Sequence, residues 1–201
     1  MTTDAIFEKL KHPNPNLRSK AMWELAEARD ENTIPRLMSI LDAEDVEYRR
    51  TAVKTLGVIG AEVVPYVVDS LLNSDNPTVR SSCAKALAQV VANHPDVPMP
   101  EAGIEGLKLA LNDPNPVVYI PTVMTLGEIG SPVFELLAET LQSTDNPALG
   151  VTILNAFGSM GDPRAVDVMT KLSQDDSADP YIKESAVSAL SRLEMVMKYN
   201  S

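Results

Sequence analysis

The sequence predicts an all-α solenoid of about five helix pairs, with a single helix at each end. Three observations predict it. A block led by Asn or Asp recurs six times along the 201 residues. Between the blocks, apolar residues recur at the spacing of one helix face, and no alternating strand pattern competes with them. The composition is 44% apolar, with only 4% aromatic residues and 9 glycines, which suits helices packed closely on small side chains.

The recurring blocks are Asn14-Pro15-Asn16-Leu17-Arg18, Asp45-Val46-Glu47-Tyr48-Arg49, Asn76-Pro77-Thr78-Val79-Arg80, Asn115-Pro116-Val117-Val118-Tyr119, Asn146-Pro147-Ala148-Leu149-Gly150 and Asp179-Pro180-Tyr181-Ile182-Lys183. They begin 31, 31, 39, 31 and 33 residues apart. Each reads as a helix start: the Asn or Asp side chain accepts from an amide the helix leaves unpaired, and Pro at the first helical position forfeits no bond. Seven residues past Arg18 and its equivalents stands a large apolar residue, namely Leu25, Leu56, Leu87, Leu126, Phe157 or Leu190. The next position holds Ala26, Gly57, Ala88, Gly127, Gly158 or Ser191, all small enough to let a neighbouring helix come close.

Gly60, Gly130 and Gly161 stand where left-handed helix ends are expected. Second helices follow on stripes such as Ile34-Leu37-Met38-Leu41 and Val64-Val67-Val68-Leu71. The expected order is a leading helix over about 3–10, five pairs, and a last helix over about 180–198, all in one domain spanning 1–201. The third repeat carries about eight extra residues within Val91 to Pro100, where three prolines predict a protruding loop. Pro121, at the sixth position of its helix, predicts a bend or an unwound first turn. The fourth and fifth repeats also replace the Arg18/Arg49/Arg80 series with Tyr119 and Gly150. This reads either as a change of local curvature or as the start of a binding surface.

A net charge of −11 argues against nucleic acid as a partner. No apolar run is long enough for a membrane span, and the first residues lack the pattern of a signal peptide, so the expected location is cytoplasmic. The single cysteine, Cys83, aligns with Ala21 and Ala52 and reads as a buried small residue. His12 and His94 each precede proline and pair with no metal-ligating neighbour, so no metal site is expected. No nucleophile, base and orienting group come together, and the catalytic residues stay unknown.

The candidate binding residues lie on surfaces. Trp23 occupies an outward column with Lys54, Lys85, Met124, Asn155 and Ser188; it reads as a partner or ligand contact, or as cover for the first repeat. The outward columns of the second helices hold Arg36, Ser39, Tyr66, Asp69, Glu105, Glu135, Glu139 and Asp167. In a solenoid these would line the concave face, an acidic one with Arg36 and Tyr66 near one end. On the last helix Leu190, Leu193 and Met197 form a stripe suited to docking a partner.

Leu10 to Leu41 (LKHPNPNLRSKAMWELAEARDENTIPRLMSIL), Tyr48 to Gly60 (YRRTAVKTLGVIG), Leu126 to Pro132 (LGEIGSP) and Asp179 to Tyr199 (DPYIKESAVSALSRLEMVMKY) resemble the HEAT-like repeats of the E/F-type phycobilin lyases. The likeness covers nearly the whole chain. Met22-Trp23-Glu24-Leu25, the length and the closing helix are most similar to the small subunit of the F or Z type, and to the chaperone-like, phycoerythrin-associated Z type in particular. The resemblance implies a HEAT-like α-solenoid that assists covalent bilin attachment to cysteines of phycobiliproteins. It implies as partners a larger HEAT-like lyase subunit, in a heterodimer, and phycobiliprotein subunits. The implied substrate is a linear tetrapyrrole such as phycoerythrobilin, with no intrinsic cofactor. In that family the thiol that becomes a thioether belongs to the acceptor. A HEAT adaptor unconnected with bilins and a phycobilisome disassembly factor are the alternative readings.

Overall fold

Each of the six Asn/Asp-led blocks starts a helix. A computed structural model describes residues 2–199; Met1, Asn200 and Ser201 lie outside the described residues. The helices are α1 (Thr3–Lys9), α2 (Pro15–Ala28), α3 (Thr33–Ser39), α4 (Val46–Ile59), α5 (Val64–Asn73), α6 (Pro77–Asn93), α7 (Glu101–Ala110), α8 (Pro116–Ile129), α9 (Phe134–Ser143), α10 (Pro147–Met160), α11 (Arg164–Gln174) and α12 (Pro180–Tyr199). No strand occurs among the described residues.

The block residues act as read. Asn14, Asp45, Asn76, Asn115, Asn146 and Asp179 each accept from an amide two residues on, at 2.8–3.1 Å. Each such cap stabilises its helix by about 1 kcal/mol. The second helices α3, α5, α7, α9 and α11 have no side-chain cap bond, so packing must hold them. Short 3₁₀ turns over Ala61–Val63 and Ser131–Val133 lead into α5 and α9. The glycines before these turns have positive φ as expected, but only Gly161 is left-handed helical; Gly60 and Gly130 lie near ψ −148° and −143°.

The chain divides into two compact units, Met1–Thr122 and Val123–Ser201. In the first, α1 packs on α2, α2 on α4 and α4 on α6, while α3 and α5 pack on the helices that follow them. The core column Ala21, Ala52 and Cys83 is sealed, as are Leu25, Leu56 and Leu87. In the second, α10 packs on α9, α11 and α12, around Ile153, Phe157 and Ala186.

The arginine series ties repeats together. Arg18, Arg49 and Arg80 each donate from Nη1 to the carbonyl six residues upstream, of His12, Ala43 and Ser74. Each helix start is thereby stapled to the loop before it. Arg80 also makes a two-pronged bond to Asp113, at 2.7 and 3.2 Å, with both side chains largely buried. Tyr119, which replaces this arginine in the fourth repeat, is buried. At Gly150, which replaces it in the fifth, the Ile182 side chain fills the space a Cβ would need. Both substitutions are packing changes at this register.

Two expectations need correction. The insertion in the third repeat is helical through Asn93, so only His94 to Pro100 loop out. Val91 to Asn93 have no proline and continue α6, and the His94 ring is held at 3.1 Å from the Val58 carbonyl. Of the two effects expected of Pro121, a bend or an unwound first turn, the second does not occur: α8 spans Pro116–Ile129 with Pro121 inside it. Asn115 caps that turn and its carbonyl accepts from both Val118 and Tyr119.

Candidate functional site

Cys83 is fully buried, and burial pushes its thiol up to about 12, so it holds its proton at neutral pH and no nucleophile is available there. No group of three or more His, Cys, Asp or Glu side chains among the described residues could hold a metal. The candidate residues sit instead on three surfaces.

On the second helices, Tyr66 and Asp69 stand exposed on α5, one turn apart. Glu139 on α9 and Asp167 on α11 are exposed in the second unit. Arg36, on α3, is already engaged. Its Nη1 donates to Asp4, and its guanidinium lies 3.8 Å from the Phe7 ring centroid, which fastens α1 to the first pair. The concavity beside it, about 310 Å³, is lined by Thr2, Asp4, Phe7, Asp30, Asn32 and Thr33. None of the other five predicted ligand contacts borders it. Asp30 is held below its ordinary value chiefly by the hydroxyl of Thr33, within a capping turn.

Trp23 stands on α2 with half its surface exposed and half buried. Lys54 on α4 and Lys85 on α6, its equivalents in the next two repeats, are also exposed. The sequence places these lysines in Trp23's column, but the neighbouring Arg50 was not legible as part of that face.

On α12 the docking stripe must be redrawn. Leu193 is fully buried within the second unit, so it cannot present a surface. Leu190 and Met197 are half-buried, and the exposed apolar side chains are Tyr181, Val187, Met195 and Tyr199. The helix sits rotated relative to the predicted stripe because Ala186, Ala189 and Leu193 turn inward.

An unpredicted electrostatic feature lies in the second unit. Asp162 is buried and accepts from the Arg164 backbone amide at 2.9 Å and from its guanidinium at 2.6, 3.0 and 3.3 Å. Arg164 also reaches Glu135 and the Ser131 carbonyl, and its guanidinium lies 4.4 Å from the Phe134 ring centroid. The Arg164 guanidinium lowers the Asp162 carboxyl from an ordinary 3.8 to about 2. A depressed acid stabilises the fold above its unfolded value and loses that contribution as pH falls toward about 2. Arg164 is half exposed, so solvent screening reduces the contribution to about 1–2 kcal/mol. Asp162→Asn should lose that amount at pH 7 in urea unfolding, and the difference from wild type should close between pH 5 and pH 2. A gap that keeps its full pH 7 size down to pH 2 would contradict the ionic origin.

Comparison with known proteins agrees with this architecture. The family model for HEAT repeats matches residues 3–88 and 104–191. The chain is 58% identical to the phycocyanin operon protein Z of Pseudanabaena tenuis (strain PCC 7409), over 98% of this chain and 97% of that protein. It is 34% identical to the bilin biosynthesis protein CpeZ of Synechococcus sp. (strain WH8020), over 86% of this chain and 95% of that protein. In three dimensions it resembles the complex of CpcE and CpcF of phycocyanin lyase from Nostoc sp. PCC7120, with a TM-score of 0.51 and 20% identity, covering 77% of this chain and 96% of that one. At that identity the likeness supports the fold alone. Repeated caps, stacked helix pairs and end-to-end identity lead to one assignment: the chain belongs to the HEAT-repeat family, in the Z-type group that includes phycocyanin operon protein Z and CpeZ.

Proposed function

We propose that this protein is a subunit or chaperone-like partner of a phycobilin lyase, assisting covalent attachment of bilins to cysteines of phycobiliproteins. The observation that carries the reading is identity along almost the full length to a protein named for bilin biosynthesis. The sealed Cys83 is consistent with it, because the thiol that becomes a thioether must then come from the acceptor. The chain's contribution is to hold acceptor and bilin in register, a proximity effect. It acts as one module over 1–201 in the cytoplasm, in a heterodimer with a larger HEAT-like subunit. The exposed side of α12, with Leu190 and Met197 at its margin, docks that subunit. Tyr66, Asp69, Glu139 and Asp167 face the bilin or the acceptor, and the bilin is substrate and not a resident cofactor.

Co-expression with the larger HEAT-like subunit, phycobiliprotein acceptor subunits and enzymes that supply phycoerythrobilin tests the proposal. Visible absorbance that stays with the denatured acceptor should appear only when both HEAT-like chains are present. Equal loading of the acceptor without this chain would remove the proposed role.

A further inference from the structure

The distribution of charge points to a second surface. The chain carries a net −11, yet α2, α4 and α6 together hold seven cations and only three carboxylates. Three of these cations, Arg18, Arg49 and Arg80, are occupied by the upstream carbonyls that staple the repeats. Lys20, Arg50, Lys54 and Lys85 remain on the outer face, all exposed. Lys20 stands 3.8 Å from the half-buried Glu24, which bonds Lys9 more closely, and Arg50 pairs with the exposed Glu47 at 3.2 Å; such surface pairs contribute little. Lys54 and Lys85 have no carboxylate within ion-pair distance among the described residues. Glu27, the third carboxylate, stands one turn beyond Trp23.

Trp23, Lys54 and Lys85 occupy equivalent positions on successively packed helices, so they form a row, with neighbouring axes about 8–10 Å apart. Lys85 is held below its ordinary value by partial burial, with the positive charges of Arg50 and Arg49 adding to the effect, which places these cations within one another's field. Between α2 and α4, Lys54 of the row borders a groove of about 380 Å³, lined also by Arg18, Ser19, Met22, Arg50 and Thr51, with Glu47 as its one carboxylate. Small-molecule sites are mostly apolar and enclosed, whereas this lining is mostly polar. An exposed tryptophan at the end of a row whose two lysines have no carboxylate partner suits a protein contact, where Trp and Arg are enriched among the residues that dominate binding.

We infer that the outer face of α2, α4 and α6, along the row Trp23–Lys54–Lys85, docks an acidic segment of a partner protein. This goes beyond the bilin reading and does not depend on it. Trp23 is the single tryptophan, so its emission reports on this face directly.

The test is a titration of the full chain with a poly-glutamate peptide of about ten residues, long enough when extended to cross the row. Trp23 emission should shift, with an affinity that falls as salt rises. Lys54→Glu/Lys85→Glu should weaken binding at least about tenfold, with helical circular dichroism unchanged. Lys54→Gln/Lys85→Gln serves if the reversed pair fails to fold. No emission change with the peptide, or equal affinity in the variants, overturns the inference. So does biliverdin, followed by its own absorbance, binding in a lysine-dependent way while the peptide does not. Self-association of the wild type that the lysine variants abolish would assign the face to a second copy and overturn it as well.

Discussion

Phe157→Ala should destabilise the protein by about 3–5 kcal/mol, the largest loss expected of any single substitution considered. Phe157 is fully buried in α10, and its ring lies 5.0 Å from that of Phe134 at an interplanar angle of 30°. Removing it leaves a cavity in the second unit and strips one face from Phe134. The same ring also carries Arg164, which in turn holds the buried Asp162. The lost ring is therefore linked, through Phe134 and Arg164, to the one strongly shifted carboxylate of this unit. Urea unfolding should show the loss, and Phe157→Leu, which refills most of the volume, should lose markedly less. Combined with Asp162→Asn the losses should not add, because the two sites share Phe134 and Arg164. A loss below about 1 kcal/mol would mean that the site collapses freely and that the ring stack contributes little.

Gly57→Ala should destabilise by about 1–3 kcal/mol, opposite in sign to what helix propensity predicts. In an unconstrained helix interior, Ala in place of Gly is worth up to about 1 kcal/mol of added stability. Here a Cβ would stand 2.8 Å from the backbone carbonyl carbon of Gln89 and closer still to its Cβ. Those atoms belong to the body of α6, so no rotamer change relieves the clash and α4 must move away. At about 2–4 °C per kcal/mol for a chain of this size, the melting temperature should fall measurably. An unchanged or higher melting temperature would show that the α4–α6 seam has slack. The same seam recurs in the second unit, where a Cβ on Gly158 would meet the Ala189 carbonyl oxygen at 3.0 Å.

The parts of this protein that were legible in the sequence are those set by neighbours along the chain. A cap needs only the Asn or Asp and the amide two residues on, so all six helix starts were readable. Small residues beside large ones, repeated at nearly fixed spacing, identified the seam that the Gly57 contact now shows. The exposure of Trp23, Lys54 and Lys85 followed from their column. The loss of Leu193 from the docking stripe did not, because α12 packs on α10 and α11 together and its inward face is the resultant of two contacts. Arg36 looked free because its partners, Asp4 and Phe7, lie on α1, which the repeat pattern does not include.

By itself the sequence determined the fold class, the number and order of helices and which columns face inward, since periodicity and capping are local properties. The tertiary structure alone decided how each arginine of the series is used, which face of α12 stays open, how Asp162 is charged, and where unpaired cations accumulate. Those outcomes depend on which groups approach from distant parts of the chain, and Coulomb and packing energies change over a few ångströms that residue spacing does not encode.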